Sequence, residues 1–286
     1  MWTDALPRWY AEHGRHELPW RATRDPWAVL VSEVMLQQTQ VSRVRPKWEA
    51  FIDRWPTAES CAADDLAEVL RLWQGLGYPR RAAALHRCAQ VVAANGWPRD
   101  EAGLRRLPGV GSYTARALMT LALARPCQPP LDVNIRRVGA RAGLGVEPAR
   151  AGTVVVEAAL AGARPRRMSR RDYTLALFDA GALHCRSAPR CDSCPLAADC
   201  AWRRAQRAPE RATPRKQPLY QGSFRQMRGA VLNAWLSDPG ADEGALARAA
   251  AAALGSAPEA EPFELALRSL VADGLIPSKR AASPAR

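Results

Sequence analysis

Leu107-Pro108-Gly109-Val110-Gly111-Ser112-Tyr113-Thr114-Ala115 sets two glycines two positions apart, directly ahead of a run with helical spacing that ends near Ala124. Glycine accepts the left-handed backbone that a tight reversal needs, so the pair lets the chain turn within a few residues. Such a hairpin leaves successive backbone N–H groups at the start of the helix Thr114 to Ala124. Amides at a helix N-terminus suit a phosphate and read no bases. A bare Gly-x-Gly also fits an ordinary joint between two helices, so its meaning depends on what surrounds it.

The surroundings are helical. Pro26 opens a helix carrying Trp27, Val29, Leu30, Val34 and Leu36, with the polar Gln37, Gln38, Thr39 and Gln40 at its end. Further helices are expected from Ser42 to Trp55, from a cap at Asp64 or Asp65 through Trp73, and from Pro79 to Asn95-Gly96. Short helices precede Leu107 and follow Asp132, and another runs from Arg170 to Ala182. Strand-like alternation is absent, and the reading is all-α. From Arg203 the texture changes: Arg203, Arg204, Arg207, Arg211, Arg215, Lys216, Arg225 and Arg228 face the single Glu210, with prolines interspersed. That composition reads as a basic linker, residues 205–224. Beyond it RQMRGAVLNAWLS, EGALARAAAAAL and FELALRSLVADGLI form a small helical unit of winged-helix-like pattern over 225–280, and the final KRAASPAR reads as a disordered tail.

The chain has 286 residues, 41 of them Lys or Arg against 28 Asp or Glu, a formal charge of +13. A hydrophobic share of 48% with 24% charged is that of a folded chain rather than a disordered one. No stretch approaches a membrane span, and MWTDALPRWY has no signal-peptide pattern, so a cytoplasmic, monomeric protein is expected. Strong positive charge favours a polyanion, nucleic acid before a membrane surface.

In a reducing compartment seven cysteines do not form a disulfide framework. Cys61, Cys88 and Cys127 lie scattered in helical patterns and read as small buried residues. Cys185, Cys191, Cys194 and Cys200 are different, spaced C-x5-C-x2-C-x5-C, close enough to reach one metal centre. Spacing alone does not separate an iron–sulfur centre from a structural zinc. Two carboxylates complete the set. Glu33 interrupts the apolar VLVSEVML, where an ionised side chain is costly without a task or a partner. Asp132 stands at a helix start 18 residues after Thr114, where it serves equally well as a plain N-cap. One carboxyl raised by an apolar pocket beside a second kept ionised is an arrangement for cleaving a glycosidic bond.

LPWRATRDPW, VSEVMLQQTQV, WQGLGYPRRAAALH, LPGVGSYTARA, LDVNIRRV and the four-cysteine segment follow one another in this order. Together they resemble the adenine DNA glycosylases of the MutY type, in the helix-hairpin-helix superfamily with endonuclease III, from about Trp9 to Trp202. The resemblance implies a six-helix barrel domain at 22–125 and a [4Fe–4S] cluster domain from 1–21 and 126–204, with Cys185, Cys191, Cys194 and Cys200 as ligands. It implies double-stranded DNA containing mispaired adenine as the substrate, with the base flipped out for reaction. Glu33 matches the family's general acid, and Asp132 the carboxylate that stabilises the positive sugar. Trp20 and Arg21 match residues lining the adenine pocket. Gln37 and Gln38 match residues entering the duplex, and Tyr78 matches an intercalating wedge. Gly109, Gly111 and Thr114 match the phosphate-binding hairpin. Tyr113 stands where enzymes that also cut the backbone carry a lysine, so a monofunctional glycosylase follows.

The departures are specific. Five residues separate Cys185 from Cys191 where six are usual, and Val133 replaces a common glycine between Asp132 and Asn134. Leu175 stands where a Gln or Glu often contacts adenine, and Pro79 follows Tyr78 where a second aromatic is common. Family members typically end in a β-rich, Nudix-like domain that inspects 8-oxoguanine, whereas residues 213–286 read as helices. The rival readings are a related glycosylase acting on thymine or uracil opposite guanine, a catalytically silent DNA-binding module, and a transcription factor driven by the helical tail.

Overall fold

The computed structural model describes residues 1–209, 219–255 and 260–278. The central part of the basic linker and the final KRAASPAR lie outside the described residues. In chain order the first helices are α1 (Leu6–His13), α2 (Pro19–Ala22), α3 (Pro26–Met35), α4 (Val41–Arg54), α5 (Ala58–Ala62), α6 (Leu66–Trp73), α7 (Pro79–Asn95) and α8 (Glu101–Leu104). They continue as α9 (Ser112–Leu121), α10 (Val133–Val138), α11 (Thr153–Gly162), α12 (Arg170–Leu183), α13 (Ala201–Arg204), α14 (Phe224–Ser237), α15 (Glu243–Leu254) and α16 (Ala260–Ala272). No strand occurs among the described residues, as the all-α reading expects.

Local chemistry sets the boundaries that matter. Asp25 accepts a hydrogen bond from the Ala28 backbone at 2.7 Å and Pro26 occupies the first turn of α3, where its missing N–H costs nothing. Gly109 has φ +77°, the conformation the hairpin needs, and Val110 N–H closes the turn onto the Leu107 carbonyl at 3.1 Å. Gly111 has ordinary extended backbone as the N-cap of α9, and nothing lies within 4 Å of where its Cβ would sit.

The chain divides into two compact units. Met1–Ile52 with Asn95–Thr213 form the first, and Asp53–Ala94 with Pro214–Arg286 form the second. This division runs through the ends of α4 and α7, whereas the resemblance draws its lines near 22, 125 and 204. In the first unit α3 packs on α9, and α12 packs on α1, α9 and α10. Trp27, Leu30, Phe51, Leu118, Ile135 and Leu160 fill its interior. Full burial of such side chains contributes about 1.5–3 kcal/mol each before entropy opposes it. Gly181 is what lets α12 approach α10: a Cβ there would lie 2.7 Å from the Asn134 Cβ and 3.0 Å from its carbonyl oxygen.

In the second unit the three C-terminal helices are not free-standing. α14 packs on α15, α16 and α6, and Val231, Trp235, Phe263 and Leu270 are buried there beside Val69, Leu70 and Trp73 of the α6 region.

Candidate active site

The packing of α3 against α9 brings two side chains together that lie 80 residues apart: Tyr113 Oη donates to Glu33 Oε2 at 2.8 Å. Both line a cavity of about 610 Å3 in the first unit, together with Trp20, Arg21, Gln37, Asp132 and Leu175. Burial raises the Glu33 carboxyl to about 7, with Tyr113's hydrogen bond and Arg21 opposing and the charge of Asp132 reinforcing. Tyr113 is held neutral, well above the ordinary phenol value, by burial and by the two carboxylates facing it. A carboxyl poised near neutrality inside a pocket can hold a proton and deliver it.

Asp132 is the N-cap of α10 and also lines the cavity, so capping the helix does not take it away from the pocket. Its Oδ1 accepts from the backbone of Asn134 at 2.9 Å and of Ile135 at 2.6 Å, and its Oδ2 from Asn134 Nδ2 at 2.8 Å. Burial pushes its acid constant up from the ordinary value, while these three donors favour the charged form. Asp132 thus has three donors on its carboxylate against one on Glu33, so the charged form is the better supported of the two at Asp132. Arg137 extends the network, donating from Nη2 to Asn134 Oδ1 at 2.8 Å and to the Gly181 carbonyl at 3.1 Å, and from Nε to the Cys185 carbonyl. The carboxylate is thus tied through α10 to the cysteine segment.

A third carboxylate, more deeply buried, organises the rim. Asp179 is fully buried and takes Arg21 bidentately, at 2.6 and 2.8 Å, and Arg15 at 2.5 Å. Arg171 ties the backbone carbonyls of Arg21 and Thr23 at 2.7 and 2.8 Å. Trp20 stacks edge-on against Trp48, ring centroids 6.0 Å apart. Sequence reasoning passed over Asp179, Asn134 and Arg137. Asp179 carries the same signal that exposed Glu33, a carboxylate inside an apolar helix in LALFDAGAL.

The remaining candidates fall elsewhere. Gln38 is exposed, with φ +55°, at the end of α3. Tyr78 belongs to the second unit and is likewise exposed, with φ +50°. A non-glycine residue in this region costs about 1–2 kcal/mol, a strain that persists only where the surroundings impose it. Thr114 is buried, whereas Gly111 and Ser112 are exposed at this end of α9, where backbone amides are within reach of a ligand.

The four clustered cysteines surround one small cavity with Arg141 and Trp202. Among the described residues no group of three or more His, Cys, Asp or Glu is disposed to hold a metal ion. The donor chemistry nevertheless fits an iron–sulfur group: four thiols face one space, and the buried Trp202 Nε1 has no hydrogen-bond partner. Arg141 backs the segment, pairing with Glu147 at 3.0 Å, stacking over Trp202 at 5.0 Å and donating to the Arg186 carbonyl at 2.6 Å.

Comparison with known proteins gives this arrangement a context. Residues 31–153 match the HhH-GPD superfamily of base excision DNA repair proteins. An adenine DNA glycosylase of Mycolicibacterium smegmatis is 43% identical over 262 residues, spanning 84% of this chain and 88% of that protein. That span exceeds what residues 1–204 can supply, so the likeness continues into the C-terminal helices. The adenine DNA glycosylase of Mycobacterium tuberculosis is 44% identical over 234 residues, 80% of this chain and 76% of the relative. A solved thermostable thymine-DNA glycosylase superposes with a TM-score of 0.61 at 26% identity, covering 71% of this chain and 95% of the other. With a relative this similar along nearly its whole length, the chain belongs to the adenine DNA glycosylase family of the helix-hairpin-helix base-excision repair superfamily.

Proposed function

We propose that this glycosylase removes adenine mispaired with guanine or 8-oxoguanine from double-stranded DNA, acting as a cytoplasmic monomer and leaving an abasic site. The observation that carries the reading is the buried Glu33–Tyr113 pair, with its carboxyl raised to about 7, in a cavity that also holds Asp132.

The roles follow from these environments. Adenine is flipped into the cavity, because its glycosidic bond is unreachable inside the stack. Protonated Glu33 gives its proton to a ring nitrogen of the base as the C1′–N9 bond breaks and the bonding electrons leave with adenine. Asp132, kept ionised by its three donors, opposes the positive charge that develops on the sugar. The Glu33 carboxylate then takes a proton from the water that adds to C1′. Tyr113 offers no amine for a Schiff base, so no strand cleavage accompanies base release. Gly109 and Gly111 present the hairpin amides to a DNA phosphate, and the room around Gly111 allows a close approach. Gln37 and Gln38 enter the duplex near the space that the flipped base vacates, and Tyr78 is an intercalating wedge. Cys185, Cys191, Cys194 and Cys200 hold a [4Fe–4S] cluster, whose role when bound is to fold a basic surface around Arg186 and Arg190.

Single-turnover assays on A:8-oxoG, A:G, A:T and G:T duplexes test the reading, with Glu33→Gln and Asp132→Asn beside the wild type. Each variant is expected to lose at least about 100-fold in adenine release. Full release by both variants, or equal rates on A:8-oxoG and A:T, would overturn it. A second reading, release of thymine opposite guanine, draws on the likeness to the thymine-DNA glycosylase and on Leu175, an apolar side chain lining the cavity. Thymine release from G:T faster than adenine release from A:G selects it.

A further inference from the structure

The segment between α6 and α7, Gln74 to Tyr78, is backbone under constraint. Gly75 and Gly77 have φ +89° and +73°, and Tyr78 follows them into the left-handed region without being glycine. Part of what imposes this is internal: Trp73 Nε1 donates to the Gly77 carbonyl at 3.0 Å, and the Arg81 guanidinium lies over the Tyr78 ring at 5.2 Å. The rest comes from the C-terminal helices. Arg71 Nε donates to the Leu236 carbonyl at 2.9 Å and Gln74 Nε2 to Asn233 Oδ1 at 3.1 Å, both ahead of the turn. Behind it Arg80 Nη2 donates to Asp273 Oδ1, while Asp273 Oδ2 accepts from Arg228 Nη2 at 2.6 Å. Asp273 is itself buried, so this anchor is fixed from both sides.

The charge of the same helices argues against a phosphate grip. The described residues from 219 to 278 hold four arginines against six acidic side chains, in a chain whose formal charge is +13. Their polar contacts with the turn are those of a brace.

We propose that the C-terminal helical unit positions the wedge: Asn233, the Leu236 carbonyl and Asp273 hold the turn so that the exposed Tyr78 ring is fixed before DNA arrives. This rests on the reading of Tyr78 as the residue that enters the duplex. A ring pre-set on a constrained turn meets the stacked bases without first giving up its own freedom, which is where preorganisation gains most. Asn233 and Asp273 are positioning residues, acting through Gln74 and Arg80.

The full-length protein carries the test, as Asp273→Asn and, separately, as the exposed double variant Gln74→Ala with Arg80→Gln. Adenine release is compared on an A:G duplex and on a duplex whose adenine is already unstacked in a bulge. A 2-aminopurine beside the adenine reports unstacking by its fluorescence. Both variants are expected to lose about tenfold in rate on the A:G duplex and most of the fluorescence rise, with about twofold or less lost on the bulge. Parallel losses on the two substrates, or no loss in folded variants, would overturn the brace. Tyr78→Ser separates the two ideas. If it abolishes the fluorescence rise and the brace variants do not, the brace alone fails. If Tyr78→Ser leaves rate and fluorescence intact, the wedge reading fails and the brace with it.

Discussion

Glu33 sits where a charge is expensive, and its burial has consequences for stability as well as for chemistry. Its folded acid constant, about 7, lies above the ordinary 4.5. Below pH 4.5 the carboxyl is protonated in both states and imposes no penalty. As pH rises to 7 the unfolded chain gains by ionising while the folded one does not, so stability is lost across that window, by about 3 kcal/mol in all. Glu33→Gln keeps the shape and removes the titration. It is expected to match the wild type at pH 4 and exceed it by up to about 3 kcal/mol at pH 8, measured by urea unfolding at the two pH values. An equal difference at both would mean the group titrates normally. In the role proposed for it as the acid, the same carboxyl must be protonated, so the single-turnover rate is expected to fall as pH rises through about 7. Tyr113's hydrogen bond favours the ionised form. Tyr113→Phe is therefore expected to move that alkaline limb to higher pH, read as the apparent acid constant of adenine release. A limb that moves down or stays would remove Tyr113 from the control of this proton.

At the scale of elements, the contact of α10 with α12 holds Asp132 and Asn134 in place, and Gly181 is the residue that permits it. A Cβ at 181 meets the carbonyl oxygen of Asn134 at 3.0 Å, and backbone yields less readily than the tip of a flexible side chain. Gly181→Ala is expected to destabilise the fold by about 1–3 kcal/mol and to slow adenine release further than the stability loss explains, because the Asp132 cap shifts with α10. Thermal unfolding beside single-turnover rates separates the two effects, and wild-type rates in a destabilised variant would show that the cap does not move. Punctuation made much of this architecture legible beforehand. Pro26, Pro79, Asn95-Gly96 and the Gly109 hairpin mark ends of α3, α7 and α9 close to where they lie. α11 escaped notice because TVVVEAALAG opens on a β-branched run with no clear helical stripe, and α5 because five residues carry too little pattern. The site was legible where one residue contradicts its neighbours, as Glu33 does. It was not legible where meaning comes from a distant partner: Arg21 and Asp179 are 158 residues apart, and the link from Asn134 through Arg137 to the Cys185 carbonyl exists only in the packed fold.

For the molecule as a whole, the distribution of charge decides which part holds DNA. Residues 1–209 carry 31 basic and 20 acidic side chains, whereas the described residues from 219 to 278 are mildly acidic. A duplex is gripped chiefly through its phosphates, and each one neutralised releases counterions, so the logarithm of affinity falls with the logarithm of salt by about 0.9 per phosphate contact. Arg186 and Arg190 are exposed on the cysteine segment, where a phosphate can reach them. Arg248 and Arg268 are equally exposed but stand among acidic neighbours on the C-terminal helices, and Arg268 is already paired with Glu264 at 3.3 Å. Arg186→Ala with Arg190→Ala is therefore expected to reduce the salt slope of duplex binding by close to one unit per arginine. Arg248→Ala with Arg268→Ala is expected to leave it within about half a unit, although the same two charges are removed. Fluorescence anisotropy on one mispaired duplex across a salt series measures both slopes. Equal reductions in the two pairs would mean that net charge alone governs binding. The predicted difference would mean that the cysteine segment grips the backbone, while the C-terminal helices act on DNA only through what they hold in place.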